Sequence, residues 1–366
     1  MASGQTSSFR LAYLDWTRGL AALIMLQGHV FHSFTRPELR QDASFVLSQF
    51  VGGMPPAVFL FLTGVTLAFL MESRERQGMP AGRRMLAAFR RAGYLFGLAF
   101  LFRLQLYLFG LPQTTWTDLF RVDILNAMGF ALAVLSTMAI FKTADRVRFC
   151  AIAGLGIAGL SPLVSQLNWS GVPAVIKAYL APDPLTFGFF PWGAFVAFGM
   201  SAGSILRMVR RDQMDRVMQW GGLVGFGLIL AGRYFAGIPY SLYSSSDFWT
   251  NSPMLILIKL GVILLILTAA YLWTMYGAGQ GWSWVRQFGT TSLLVYWVHT
   301  ELVYGRWLWF WKESLNSVQA ALAAAGVILL MLALSVIRTN YRKWGVSGFS
   351  FAYPFLEFQP SRVSGD

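Results

Sequence analysis

A single cysteine, Cys150, stands among 366 residues, which excludes an internal disulfide and any zinc site built on several thiolates. Charge is scarce as well. Asp, Glu, Lys and Arg make up 12% of the chain, against roughly 25% in a soluble domain, too little polar surface to coat a water-soluble globule. Acidic residues are the scarcer sign, 16 against 29 Lys and Arg, for a net charge of +13. That excess forms no single basic face. It is dispersed in short segments between apolar runs, which argues against nucleic acid and for the membrane surface as the partner. Neither an H-E-x-x-H zinc motif nor a Walker loop is present. The start, Met1 to Phe9, is polar and too short for a secretory signal. The first apolar run carries Asp15 and Arg18, with no small-residue cleavage site after it, and reads as a retained signal anchor.

What is abundant is apolar length. Hydrophobic residues reach 56% and aromatics 16%, with 14 Trp, as expected where rings also sit at membrane–water interfaces. About 20 apolar residues span a bilayer. Ten such windows follow one another at 14–34, 52–71, 87–109, 121–141, 149–166, 188–207, 217–236, 253–275, 287–305 and 317–338. Their Gly and Pro content is tolerated in packed membrane helices; the fifth window is the shortest. The expectation is an all-α, polytopic integral membrane bundle, one domain over residues 1–366, with no soluble domain, linker or internal repeat. With a cytoplasmic N-terminus, most of the 29 Lys and Arg fall in inner segments, among them Arg83, Arg84, Arg90, Arg91 and, at the C-terminal end, Arg338, Arg342, Lys343 and Arg362. This bias predicts that both termini are cytoplasmic and that the chain resides in the cell (cytoplasmic) membrane. The longest outer segment, 167–187, is large enough to cap a site.

An ionisable group inside a membrane costs at least about 2.5–3.5 kcal/mol on insertion scales, so each is a functional candidate. The first window runs Asp15-Trp16-Thr17-Arg18 and then reaches Gln27-Gly28-His29-Val30-Phe31-His32. Eleven residues at 100° each return His29 to within about 20° of Arg18, on one helix face, roughly 16 Å further along the axis. Asp15 with Arg18 is also an i,i+3 pair that can merely anchor a helix end, and a lone histidine can simply pack. Under the predicted topology, however, His29, His32, Arg103, Asp123, Asn126, Tyr296, His299 and Glu301 all fall in the outer half. A polar set gathered from several helices at one depth reads as a site facing a water-filled cavity. At the inner side the basic run Arg83-Arg84 and Arg90-Arg91, at the start of the third window, reads either as ordinary positive-inside anchoring or as a phosphate-holding mouth, because guanidinium forks grip phosphates bidentately.

A phosphate-binding mouth below a histidine suits a donor with a phosphorylated head and a long thin arm, the shape of acyl-CoA. A histidine can take the proton of an attacking hydroxyl or amine, or carry the acyl group itself. Asp123 or Glu301 is placed to orient its imidazole. No His-plus-carboxylate motif supports a metal. A proton-coupled small-molecule transporter using the same polar residues is the alternative, although no inverted repeat supports it. A non-enzymatic membrane scaffold is a third reading.

The segment "LDWTRGLAALIMLQGHVF" (Leu14 to Phe31), preceded by the basic Arg10, resembles the first helix of membrane acyltransferases of the acyltransferase-3 type. These carry an arginine, ten residues and then a histidine, as Arg18 and His29 do. "FLFLTGVTLAF", "RVDILNAMGFAL", "FFPWGAFVAFGMSAG" and "FGTTSLLVYWVH" are similar to the heparan-α-glucosaminide N-acetyltransferase-like branch and its bacterial relatives. The resemblance implies ten or eleven helices, a cytoplasmic acyl-CoA donor (acetyl-CoA foremost) and an extracytoplasmic small-molecule or glycan acceptor. It implies that His29 is the catalytic histidine, with Asp123 and His299 at family positions and Arg18 its structural or donor-binding partner, whereas the basic run from Arg83 to Arg91, with Arg90 and Arg91, departs from the acyltransferase-3 spacing. His32, Arg103, Asn126 and Glu301 would then face the acceptor. A homodimer is compatible with this reading.

Overall fold

The computed structural model describes residues 5–277 and 282–341, with side chains from residue 12 onward. Arg342, Lys343 and Arg362 lie outside the described residues, as does the side chain of Arg10. In chain order the helices are α1 (Gln5–Phe34), α2 (Ala43–Gly52), α3 (Pro55–Arg76), α4 (Ala81–Gly110), α5 (Ile124–Leu135) and α6 (Thr143–Ser165). They continue with α7 (Ala174–Leu180), α8 (Phe189–Met208), α9 (Met214–Ala236), α10 (Pro253–Leu272), α11 (Trp284–Thr290), α12 (Ser292–Tyr304) and α13 (Ser317–Asn340). Among the described residues there is no strand beyond an isolated bridge between Thr35 and Leu315.

Among the described residues seven helical stretches are long and apolar enough to cross a membrane. They begin at α2, α4, the short 3-10 turn before α5, α6, α8, α10 and α13. The outward faces of α4, α6, α9 and α13 carry large exposed apolar side chains such as Phe100, Ile152, Leu223 and Leu329, the surface expected against lipid tails rather than water. The window 14–34 lies on α1, where Asp15, Arg18, Gln27, His29 and His32 dilute the apolar run. The window 287–305 is divided between α11 and the 13-residue α12.

That division has a local cause. Thr291, at φ −119° and ψ 16°, leaves helical geometry. Just before it, α11 crosses α1 backbone to backbone. A Cβ added at Gly289 would meet the Asp15 carbonyl, and one at Gly19 would meet the Val285 carbonyl. Small residues permit this approach, and it sets α11 beside the polar start of α1. The same device joins α3 to α8, where Gly199 faces the Phe61 backbone and Gly203 faces Val65.

α1 packs against α2, α3, α10, α11, α12 and α13, so its polar stripe turns inward rather than toward lipid. Its far end is tied down by main-chain bonds from Glu313 N to Ser33 O and from Leu315 N to Phe34 O. At the opposite, basic end of the bundle, the carboxylates of α3 pair with arginines of three other helices. Glu75 meets Arg84 at 3.3 Å and Arg146 at 2.8 Å, and Glu72 meets Arg207 at 2.6 Å.

Candidate active site

Two cavities lie along α1. One, of about 820 Å³, is lined by His29, His32, Arg103, Asp123, Tyr296, Glu301 and Tyr304 among others. The second, of about 540 Å³, is lined by Asp15, Arg18, Arg91, Tyr94, Thr290, Thr291 and Arg338. These are called here the histidine cavity and the arginine cavity. The arginine cavity lies toward the basic end, at the start of α1 and the end of α13.

The histidine cavity is built around a pair of imidazoles. His29 Nδ1 lies 2.9 Å from His299 Nε2, with the rings 21° from parallel. His299 is fully buried, and its Nδ1 lies 2.7 Å from the Val295 carbonyl. A carbonyl only accepts, so the neutral His299 donates from Nδ1 and presents a lone pair at Nε2. That lone pair accepts the proton on His29 Nδ1. The chain of bonds therefore fixes the His29 tautomer and leaves the lone pair on His29 Nε2 unengaged, on a residue that lines the cavity. The sequence singled out carboxylates as the orienting partners; the geometry gives that place to His299.

Asp123 is otherwise occupied. Its Oδ1 caps α5, accepting from Leu125 N at 3.0 Å and Asn126 N at 3.1 Å, and Oδ2 lies 3.1 Å from Arg103 Nε. The Asx cap is a local property of sequence; the ion pair is what keeps two charges tolerable at a site nearly closed to water. Asn126 completes the capping box and donates from Nδ2 to the Tyr179 hydroxyl at 3.1 Å. It is not on the cavity wall, so its place is to hold α7 of the 167–187 segment over α5. Glu301 is buried and stands on the cavity wall. His32 is exposed at the rim, 3.4 Å from the Tyr304 hydroxyl. Lys312, also on the wall, donates to the Tyr304 carbonyl at 2.6 Å. Partial burial draws its ammonium below the ordinary lysine range, with the Glu301 carboxylate opposing that shift.

In the arginine cavity Arg18 keeps its ion pair to Asp15 at 2.8 Å, with about a quarter of its side chain exposed at 24%. Arg91 joins it, as does Arg338 from the last helix. Arg90 does not: it is exposed on the other side of α4 and off the cavity wall. Helical rotation is the reason, since neighbours in sequence point about 100° apart. Arg338 was legible only as one more basic residue at a helix end; its approach to Arg18 depends on how α13 folds back against α1.

The residues Gly199-Met200-Ser201-Ala202-Gly203 have the spacing of a serine-hydrolase nucleophile elbow. They lie inside α8 rather than on a strand-to-helix turn. Ser201 Oγ donates to the Val147 carbonyl at 2.8 Å, and both glycines are packed against α3. Lys259 of α10 is bonded to the Gly53 carbonyl at 3.1 Å, with its ammonium over the Trp192 ring. Among the described residues no group of three or more His, Cys, Asp and Glu side chains could hold a metal ion.

Fold and site together define a polytopic membrane protein with a tautomerically fixed histidine on the wall of one of two cavities along α1. The model of an acyltransferase domain family, the acyltransferase-3 family, matches residues 11–338, and the chain belongs to that family. It is in general terms a membrane acyltransferase. A search of the curated proteins finds no match.

Proposed function

We propose that the protein transfers an acyl group, acetyl foremost, from cytoplasmic acyl-CoA to a hydroxyl or amine of an acceptor that enters from the opposite side of the membrane. In this reading the chain crosses the bilayer ten times with both termini cytoplasmic, as the distribution of Lys and Arg favours. The arginine cavity then opens toward the cytoplasm. Arg18, Arg91 and Arg338 hold the phosphates of the donor by charge-assisted hydrogen bonds, and its arm runs along α1 toward His29. The histidine cavity receives the acceptor, a small molecule or a glycan terminus, between charged side chains and the rings of Tyr107, Tyr304 and Trp309.

The observation that carries this reading is the bond series from His29 to His299 to the Val295 carbonyl. It leaves His29 Nε2 as a base within the acceptor's cavity. The base takes the acceptor's proton as the acceptor oxygen or nitrogen attacks the thioester carbonyl carbon. The imidazolium that forms is held by His299 through its Nδ1–H. When the C–S bond breaks, the proton passes from His29 Nε2 to the departing thiolate. Such positioned acid–base catalysis contributes about 10²–10⁴ in rate.

Purified protein in detergent, given radiolabelled acetyl-CoA, is expected to label an acceptor or to hydrolyse the thioester slowly. His29→Ala is expected to lower that rate by at least about 100-fold while the protein keeps its helical content and elution volume. Wild-type turnover in a folded His29→Ala protein would refute the assignment.

A further inference from the structure

Tyr296 alone among the described residues lines both cavities. It stands on α12 three residues before His299, so the two share a helix face, and their rings are 5.9 Å apart. The Phe102 ring packs against it at 5.3 Å. On a helix, long side chains lean toward the N-terminus. The phenol thus leans from the histidine pair toward the arginine cavity, from which the donor's arm arrives in the proposed reaction.

The hydroxyl is unspent. The Tyr304 hydroxyl lies 3.4 Å from His32 Nδ1, and Thr300 donates its hydroxyl to the Tyr296 carbonyl. The Tyr296 hydroxyl makes no hydrogen bond within the described residues. A phenol held by rings on two sides, between two cavities and with no protein partner, is a donor awaiting a ligand acceptor.

We propose that Tyr296 donates a hydrogen bond to the thioester carbonyl oxygen and stabilises it as an oxyanion during transfer. This rests on the acyl-CoA reading given above. The acceptor atom forms its bond to the carbonyl carbon and the C=O π pair moves onto oxygen, where the Tyr296 O–H meets it. The pair then returns, the C–S bond breaks, and the thiolate leaves with the proton that His29 took from the acceptor. The phenol keeps its own proton throughout. Donors preorganised at the site of developing charge are among the largest contributions an enzyme makes.

Tyr296→Phe keeps the ring and removes only the donor. The expected result is a fall in kcat of about 100-fold, with KM for acetyl-CoA unchanged within about threefold. A second measurement separates this from loosened packing. In a His29→Ala background, bound acetyl-CoA carrying ¹³C at the carbonyl should show its C=O stretch shifted to lower frequency, and adding Tyr296→Phe should abolish that shift. Wild-type kcat in Tyr296→Phe overturns the proposal and leaves the acyl-CoA reading intact, provided His29→Ala is inactive. A lowered kcat with an unchanged carbonyl stretch overturns it also. If the wild-type protein transfers nothing from acetyl-CoA, the underlying reading falls, and this proposal with it.

Discussion

His299 differs from His29 in having no opening to the cavity, and that difference divides their work. With Nδ1 committed to the Val295 carbonyl and Nε2 to His29, it can orient and accept but not reach a substrate. His299→Phe should therefore lower kcat on the order of 100-fold, because His29 loses its tautomeric preference. His299→Gln, whose amide oxygen can still accept from His29 Nδ1–H, should recover part of that loss. Equal rates in the Phe and Gln variants would show that His299 only fills space. The two adjacent arginines make a second comparison. Arg91→Ala removes a charge-assisted donor of roughly 1.5–3 kcal/mol, so KM for acetyl-CoA should rise about 10- to 100-fold. Arg90→Ala, on the exposed side, should leave it near wild type, and a reversed order would relocate the phosphate site. At this scale the residue types were legible from sequence, but their partners were not: nothing in the chain's order says that His299 rather than Asp123 meets His29.

Among the elements, the α1–α11 crossing positions everything else. It is made by Gly19 and Gly289, each against the other helix's backbone, and it seats Asp15 and Arg18 beside the break at Thr291. Gly289→Val would force the helices apart, at a cost of at least about 1–3 kcal/mol for overpacking. The expected outcome is a lower melting temperature or failure to accumulate as a monodisperse species. Gly326→Ala, where a Cβ meets nothing within 4 Å, should be silent in the same assay. A thermally unchanged Gly289→Val protein would mean that the crossing carries no strain. Helix existence followed from apolar length, since a backbone in lipid must satisfy its own hydrogen bonds. The break within 287–305 and the separate helix α2 did not, because both depend on tertiary contacts that composition does not encode.

For the whole molecule, the open quantity is which end faces the cytoplasm. Cys150 is buried, so a Cys150→Ser background gives a clean start for single-cysteine labelling. Arg83 and Lys177 are both exposed, on segments at opposite ends of the bundle under the proposed topology. A membrane-impermeant maleimide applied to intact cells should label Lys177→Cys and spare Arg83→Cys, and inverted vesicles should give the opposite pattern. Labelling of Arg83→Cys in intact cells would turn the proposed reaction around, placing the arginine cavity away from the cytoplasmic donor.

Taken by itself, the amino-acid order was enough for the class of molecule and for the stripe that matters. Scarce charge and long apolar runs leave only a helical membrane protein, and the eleven-residue interval puts Arg18 and His29 on one face of α1 by helical geometry alone. Tertiary structure decided the rest. It buried that face against α11, α12 and α13, gave His29 an imidazole partner, committed Asp123 to Arg103, and brought Tyr296 between the two cavities. Local geometry repeats with a period that sequence displays, whereas the meeting of distant side chains depends on how closely particular backbones can approach.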